Sequence, residues 1–140
     1  MIRSVLGVLF LGIAALPASA ADYWYGGSWS AELPACDQPE VIASVNEKFA
    51  FASTETWHWG FAIDRVVEVR ETATRAGGPS LVDRRYCTAR ALLSNGRHSE
   101  VVYLIESHQG FASMGWNVES CLPAYDPYRV YDGWCRAIRP

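Results

Sequence analysis

The sequence predicts an α+β domain in which one N-terminal helix packs on a four-stranded antiparallel meander and two disulfides hold the elements together. Residues 38–56 place apolar side chains about 3.6 residues apart, as one face of a helix does. Four later segments alternate apolar and polar residues with a period of about two, which is typical of half-buried strands. Since helix and sheet each have one apolar face, we expect the two faces to pack together.

Residues 1–20 are expected to be a secretory signal peptide. Arg3 supplies a positive start, residues 4–17 are mostly apolar, and Ala18-Ser19-Ala20 is the small-x-small pattern that signal peptidase cuts. The apolar run is too short to span a bilayer comfortably, and no second long apolar segment follows. We therefore expect cleavage after Ala20, a periplasmic or secreted chain, and no membrane span after cleavage.

Residues 21–35 are expected to form an N-terminal arm rich in glycine and aromatic residues. No hydrophobic period is evident there, so we expect an irregular arm or a short edge strand, ordered only if its rings dock on the domain. Residues 36–140 have about the length of one ordinary domain. They are expected to form a single disulfide-bonded α+β unit.

The helix is expected from about residue 38 to about residue 56. Asp37 is a candidate N-cap, Pro39 suits the first turn, and Glu40 lies three residues after the cap, as in a capping box. Gly60 is the candidate terminator. The apolar stripe consists of Val41, Ile42, Val45, Phe49 and Ala52.

The strands are expected at about residues 62–72, 84–93, 100–107 and 111–121. In the first strand, Ile63, Val67 and Val69 share one face. In the second and third strands, the shared faces are Cys87, Ala89, Ala91 and Leu93, and then Val101, Tyr103 and Ile105. The fourth strand places Ala112, Met114, Trp116 and Val118 together, with Trp116 expected in the core.

Two turn signals separate the later strands. Asn95-Gly96 tolerates positive φ angles and therefore predicts a type I′ turn in a tight hairpin. Gln109-Gly110 is a second candidate turn. After the fourth strand, residues 122–140 contain three prolines and Gly133, so we expect this tail to be an extended cover rather than a regular element.

The four cysteines are expected to be structural. They permit three pairings, of which we favour Cys36–Cys87, tying the helix start to the second strand, and Cys121–Cys135, closing the tail onto the fourth strand. No Cys-x-x-Cys spacing indicates redox exchange. The three histidines show no metal-ligand spacing, so we expect neither a metal nor a cofactor.

The order of one helix followed by four antiparallel strands resembles the cystatin-like architecture. No cystatin inhibitory loop sequence is present, so protease inhibition does not carry over. The chain from Cys36 onward also resembles small secreted alphaproteobacterial proteins of uncharacterised function. The matching stretches are Arg84-Arg85-Tyr86-Cys87 with Ala89-Arg90, residues 116–121, and Cys135-Arg136 to Arg139-Pro140. This resemblance implies a secreted, disulfide-bonded domain and supplies no catalytic residues.

Charge and composition narrow the function classes. The formal net charge is −3, and loss of Arg3 with the leader makes it −4. Nucleic acid and anionic lipid need a basic surface, so neither is an expected partner. The sequence has six tryptophans and seven tyrosines, and such side chains stack on sugars and anchor protein interfaces.

We therefore expect a non-catalytic binding or interaction module that uses an aromatic surface to bind an envelope protein or an envelope glycan. The candidate ligand- or partner-binding residues are Tyr23, Trp24, Tyr25 and Trp29 in the arm, and Tyr128, Tyr131 and Trp134 in the tail. No nucleophile motif stands out, so no catalytic residue is assigned.

Two alternatives remain open. A small cell-envelope hydrolase would use the paired carboxylates of Glu106 and Glu119, placed in one cleft about 5–10 Å apart. A structural accessory subunit of an envelope complex would instead expose a wide apolar patch.

Overall fold

Residues 33–140 are the part of the chain that a computed structural model describes, and they form one helix and a four-stranded antiparallel sheet of order β1-β2-β3-β4. The elements are α1 (Pro39–Phe51), β1 (Ile63–Arg75), β2 (Arg84–Leu93), β3 (His98–Ser107) and β4 (Trp116–Cys121). The predicted α+β fold class is confirmed. The expected signal peptide and residues 21–32 of the expected arm lie outside the described residues.

The start of α1 differs from the prediction in its cap. The N-cap residue is Gln38, and no side chain caps the helix, so the capping box led by Asp37 is wrong. Because a proline disfavours helical backbone angles in the residue before it, Gln38 remains extended, with ψ of 136°. Asp37 therefore lies one position too far from the first turn. Pro39 begins the helix, as expected.

The end of the helix has an unusual form. After α1, one π-helical turn spans Ala52–Thr56, and the N–H of Trp57 donates to a carbonyl five residues earlier at 2.9 Å. The expected terminator, Gly60, is not the residue that stops it. His58 takes the left-handed conformation, with φ of 54°, and its Nδ1 lies 2.7 Å from the carbonyl oxygen of Thr54. A left-handed residue just beyond the last turn is a common helix stop.

The main core lies between α1 and one face of the sheet. Val41, Val45 and Phe49 are buried, as the stripe predicts. The predicted faces of β2 and β3 are also buried, together with Val118 of β4. Inside this core the hydroxyl of Tyr103 donates a hydrogen bond to the carbonyl of Cys36 at 2.8 Å, and burial raises the pKa of Tyr103.

The predicted face of β1 is only partly correct. Ile63 is buried as expected, but Val66 packs against the core together with Val69, and Val67 does not. The pairing of β1 with β2 shifts register at three points, and Glu68 has a φ of 55°. Each bulge inserts an unpaired residue, which changes the set of side chains that point to the core.

The hairpin between β2 and β3 turns at Asn95-Gly96, but not through a type I′ turn. Of these two residues only Gly96 has a positive φ, of 79°. The N–H of Gly96 donates to the Leu93 carbonyl, and the N–H of Leu93 donates to the Arg97 carbonyl, both at 2.9 Å. This is the pattern of a three-residue loop that ends on a left-handed glycine.

Strand β4 is shorter than predicted. It begins at Trp116, because residues 108–115 form a loop with a 3-10 turn and left-handed backbone at positions such as Ala112. An alternating face requires continuous extended backbone, so Met114 is 67% exposed rather than buried. Val118 is buried and Trp116 packs against the core, as expected.

Both predicted disulfides are present. Cys36–Cys87 links positions 51 residues apart, and Cys121–Cys135 links positions 14 apart, joining β4 to the tail. The tail covers the second face of the sheet, where Cys135 and Ile138 pack on Tyr86, Val102, Leu104 and Cys121. The expected cover is therefore formed, but it contains 3-10 turns at Pro123–Tyr125 and Gly133–Ile138 rather than extended chain alone.

Two observations bear on the compartment. All four cysteines are in disulfides, which is compatible with an oxidising environment. Within residues 33–140, no helix has both the length and the apolar character needed to cross a membrane.

Candidate functional site

A cavity of about 300 Å³ lies between the C-terminal end of α1, the edge strand β4 and the first half of the tail. A volume of this size falls at the lower end of the range for small-ligand sites. Its walls are mainly aromatic and aliphatic. The polar side chains that line it include Lys48 from α1, Glu119 from β4, and Asp126 and Tyr131 from the tail.

The π-helical turn contributes one wall of the cavity. Ala52 and Thr56 from this turn and the following Trp57 all line it. A π-helical turn adds a residue to the helix and so rotates the residues after it, and such turns are rare and often occur at functional sites. The turn is therefore the local device that places Trp57 in the wall.

Trp57 is also the end of an aromatic stack. Its ring centroid lies 4.6 Å from that of Trp59, which in turn lies 5.6 Å from that of Phe61. Tyr125 of the tail packs edge-on against Trp59 and Phe61, at 5.5 Å and 5.3 Å. The indole N–H of Trp57 is buried and has no hydrogen-bond partner within the described residues. Ring contacts thus hold this wall in place.

Glu119 is the polar centre of the cavity. Its Oε1 accepts hydrogen bonds from Asn117 at 2.8 Å and from Lys48 at 3.3 Å, and its Oε2 accepts one from the hydroxyl of Tyr131. Burial by itself raises the pKa of Glu119. The hydrogen bonds from Tyr131 and Asn117 and the charge of Lys48 outweigh burial and hold the pKa below its ordinary value. Glu119 is therefore ionised at neutral pH.

Tyr131 remains a hydrogen-bond donor. Burial raises the pKa of its hydroxyl, and the neighbouring Glu119 carboxylate raises that pKa further. A protonated phenol donating to an ionised carboxylate is a charge-assisted hydrogen bond, which is stronger than a neutral one. This contact fixes the tail against β4 across the cavity.

Asp126 supplies a second carboxylate and has no cationic partner within the described part of the chain. It accepts the backbone N–H groups of Val130 at 2.9 Å and Tyr131 at 3.4 Å. The ion pairs formed within residues 33–140 do not include Asp126. With Lys48 as the single lysine or arginine of the described wall beside Asp126 and Glu119, the titratable lining carries a net charge of −1.

The predicted binding residues do not form one surface in the described part of the chain. Tyr23, Trp24, Tyr25 and Trp29 lie outside the described residues. Tyr131 lines the cavity, whereas Trp134 borders a second hollow beside Arg129 and Asp132, which shares only Asp126 with the cavity. Trp134 and Tyr128 are 80% and 76% exposed, and Val130 between them is 64% exposed.

The two carboxylates of the hydrolase alternative have different surroundings. Glu119 pairs with Leu104, and Glu106 pairs with Asn117, so the glutamates are diagonal neighbours on β3 and β4. Glu106, however, bonds Arg84 at 2.8 Å and is not among the residues that line the cavity. The lowered pKa of Glu119 is the opposite of what a general acid needs, although it suits the ionised member of a carboxylate pair. The two glutamates therefore do not share this cavity, as the hydrolase alternative requires.

The sequence analysis did not predict that Trp57 and Lys48 line the cavity. The signal for Trp57 is the close spacing of three aromatic residues, Trp57, Trp59 and Phe61. A strand-like alternation does not explain their stacking, because His58 and Gly60 have positive φ angles. Lys48 gives no such signal, since its approach to Glu119 joins residues 71 positions apart. Among residues 33–140, no group of three or more His, Cys, Asp or Glu side chains is arranged to hold a metal ion.

Comparison of the chain with protein-family models, with curated proteins and with solved structures found no significant match. The fold and the site together define a disulfide-bonded α+β domain with a small, aromatic-walled and acidic cavity at one edge of its sheet.

Proposed function

We propose that the protein is a non-catalytic binding module of the periplasm or the extracellular space, and that its cavity holds one saccharide unit of an envelope glycan. The observation that carries the proposal is the combination of an aromatic wall and fixed polar side chains in a cavity of about 300 Å³. Secretion rests on the leader pattern of residues 1–20 and is tested by N-terminal sequencing, which should begin at Ala21.

Sugar recognition needs two kinds of contact. The apolar C–H face of a pyranose packs against an aromatic ring, and its hydroxyls need hydrogen-bond partners around the rim. Trp57 and Tyr125 supply rings, and Glu119 and Asp126 supply acceptors. Because ring packing and hydrogen bonds already hold the wall, little side-chain ordering is required on binding.

The polar centre favours binding over chemistry. Both oxygens of Glu119 already accept hydrogen bonds, and its pKa is low, so it serves as an anchored charge and not as a proton donor. Its partners Lys48 and Tyr131 bring α1 and the tail to the same point of β4. This arrangement preorganises a pocket.

The test is a tryptophan-fluorescence titration of the whole chain, purified with its disulfides intact, against a panel of mono- and disaccharides. We expect saturable binding by at least one sugar, and loss of that binding in Trp57→Ala. Trp134→Ala is the matched control, because Trp134 lies outside the cavity, and it should bind as the wild type does. Thermal unfolding of each variant establishes that it is folded. Absence of binding across the panel would contradict the proposal.

A second candidate function is docking of a partner protein on the tail, as an interaction module or an accessory subunit would require. It is favoured by the exposure of Tyr128, Val130 and Trp134, all of which are large apolar side chains. Crosslinking from the native cell envelope, followed by mass spectrometry, tests it. A specific partner lost in a Tyr128→Ala/Trp134→Ala variant but kept in Trp57→Ala would favour docking over sugar binding.

A further inference from the structure

We propose that the cavity selects an amino sugar, a saccharide ring that carries a free ammonium group, over neutral and acidic sugars. This inference rests on the proposed function and adds the charge of the ligand to it. It depends on three features of the cavity wall: its aromatic rings, its excess of negative over positive charge, and the carboxylate of Asp126, which forms no ion pair within the described residues.

The aromatic wall suits a cation. Trp57, Tyr125, Tyr131 and Phe49 all line the cavity, and the face of an aromatic ring carries partial negative charge. A cation placed within about 6 Å of such a ring is attracted to it, most strongly by tryptophan. Neutral sugars pack against the same rings but gain nothing from this electrostatic attraction.

The cavity wall carries more negative than positive charge. Lys48 is already engaged, since its Nζ lies 3.3 Å from Oε1 of Glu119 and 3.4 Å from Oδ1 of Asn117. That leaves Asp126, whose carboxylate accepts two backbone N–H groups. Asp126 also borders the neighbouring hollow with Arg129, but it forms no ion pair within the described residues. An ammonium group on the ligand would provide the missing counter-charge, whereas an acidic sugar would add to the repulsion.

The experiment is isothermal titration of the whole oxidised chain at pH 6 with four sugars, three of which differ only at C2, while the fourth, glucuronic acid, differs from glucose only at C6. Glucosamine carries an ammonium group, N-acetylglucosamine a neutral amide, glucose a hydroxyl, and glucuronic acid a carboxylate. We expect glucosamine to bind about tenfold more tightly than glucose, and glucuronic acid to bind most weakly.

Two variants should move this preference in opposite directions. Asp126→Asn removes the unpaired charge and should reduce the ratio of glucosamine to glucose affinity toward one. Lys48→Met removes the competing cation and should raise that ratio, while Asn117 and Tyr131 still hold Glu119. Opposite shifts would not come from general disruption of the fold. Asp64→Asn, the same change at an exposed position on β1, should leave the ratio unaltered.

The outcomes separate this inference from the proposed function. Equal or tighter binding of glucose or N-acetylglucosamine would overturn the amino-sugar inference but leave saccharide binding intact. Binding of none of the four sugars would overturn both. Tighter binding of Nα-acetyl-lysine methylamide than of glucosamine would point to a lysine side chain of a partner protein and would also overturn the inference.

Discussion

Among single residues, Glu119 and Tyr131 form the contact on which the shape of the cavity most depends. The phenol of Tyr131 donates to a carboxylate that also accepts bonds from Asn117 and Lys48. Two of these partners, Tyr131 and Lys48, belong to elements other than β4. Removal of any one donor leaves the partly buried Glu119 carboxylate with fewer hydrogen bonds. The resulting loss of unfolding free energy exceeds the mean net contribution of a hydrogen bond, because the remaining charge stays partly desolvated.

Tyr131→Phe tests this contact through its pH dependence. The folded-state pKa of Glu119 is lowered, so its stabilisation is present above the unfolded pKa of about 4.3 and is lost as pH falls through the lower folded value. We expect the variant to lose about 1 kcal/mol of unfolding free energy at pH 7, a value reduced by the partial exposure of Glu119. Urea unfolding from pH 7 down to pH 3 should show this loss shrinking. A loss that is constant with pH would contradict the assignment.

Among the secondary-structure elements, the β2–β3 hairpin depends mainly on the backbone conformation of Gly96. It is left-handed, with φ of 79°, and a Cβ there would contact nothing within 4 Å. The cost of a side chain is therefore conformational rather than steric crowding. Gly96→Ala should lower the unfolding free energy by about 1 kcal/mol.

Gly78→Ala is the matched control for this hairpin prediction. Gly78 also has open space for a Cβ, but its φ lies outside the left-handed region. Its substitution should change the unfolding free energy by less than about 0.5 kcal/mol. Equal losses for the two variants in urea unfolding would show that the left-handed conformation of Gly96 is not what matters.

Regular elements were predictable because periodicity records which face is buried. The bounds of β2 agree with the prediction, and the stripe of α1 is buried as expected. The bulges of β1 and the loop before β4 were not predictable, since they depend on backbone angles at Glu68 and Ala112 that no sequence motif requires. Hydrophobic periodicity predicts which side chains of a strand are buried only where its pairing with the neighbouring strand is uninterrupted.

The cavity was less predictable than the fold, because it depends on contacts between distant parts of the chain. Tyr131 was expected to bind a ligand and does line the cavity, while Tyr128 and Trp134 of the same patch lie outside it. The position of the tail depends on Cys121–Cys135, a predicted pairing, and on the bond between Tyr131 and Glu119, which sequence spacing does not reveal.

In the molecule as a whole, the two disulfides stabilise different regions. Cys36–Cys87 closes the longer loop and ties the start of α1 to the sheet, whereas Cys121–Cys135 ties down the tail that walls the cavity. We expect Cys36→Ala/Cys87→Ala to lower the unfolding free energy by about 4 kcal/mol and Cys121→Ala/Cys135→Ala by about 3 kcal/mol.

Sugar affinity separates the two disulfide variants further. Measured under conditions where each variant is still folded, the loss of Cys121–Cys135 should weaken sugar binding more than the loss of Cys36–Cys87. The reason is that only the former bond lies in the cavity wall, through Cys121. A larger loss of binding in the Cys36/Cys87 variant would place the site elsewhere.

The most direct test of the central claim is a two-dimensional ¹⁵N–¹H NMR titration of the whole oxidised chain with glucosamine and N-acetylglucosamine. Binding in the cavity predicts that saturable shifts cluster in residues 48–57 and 119–126 and at Tyr131, together with the indole N–H signal of Trp57. Absence of shifts at millimolar sugar, or shifts confined to Tyr128 and Trp134, which lie outside the cavity, would contradict it.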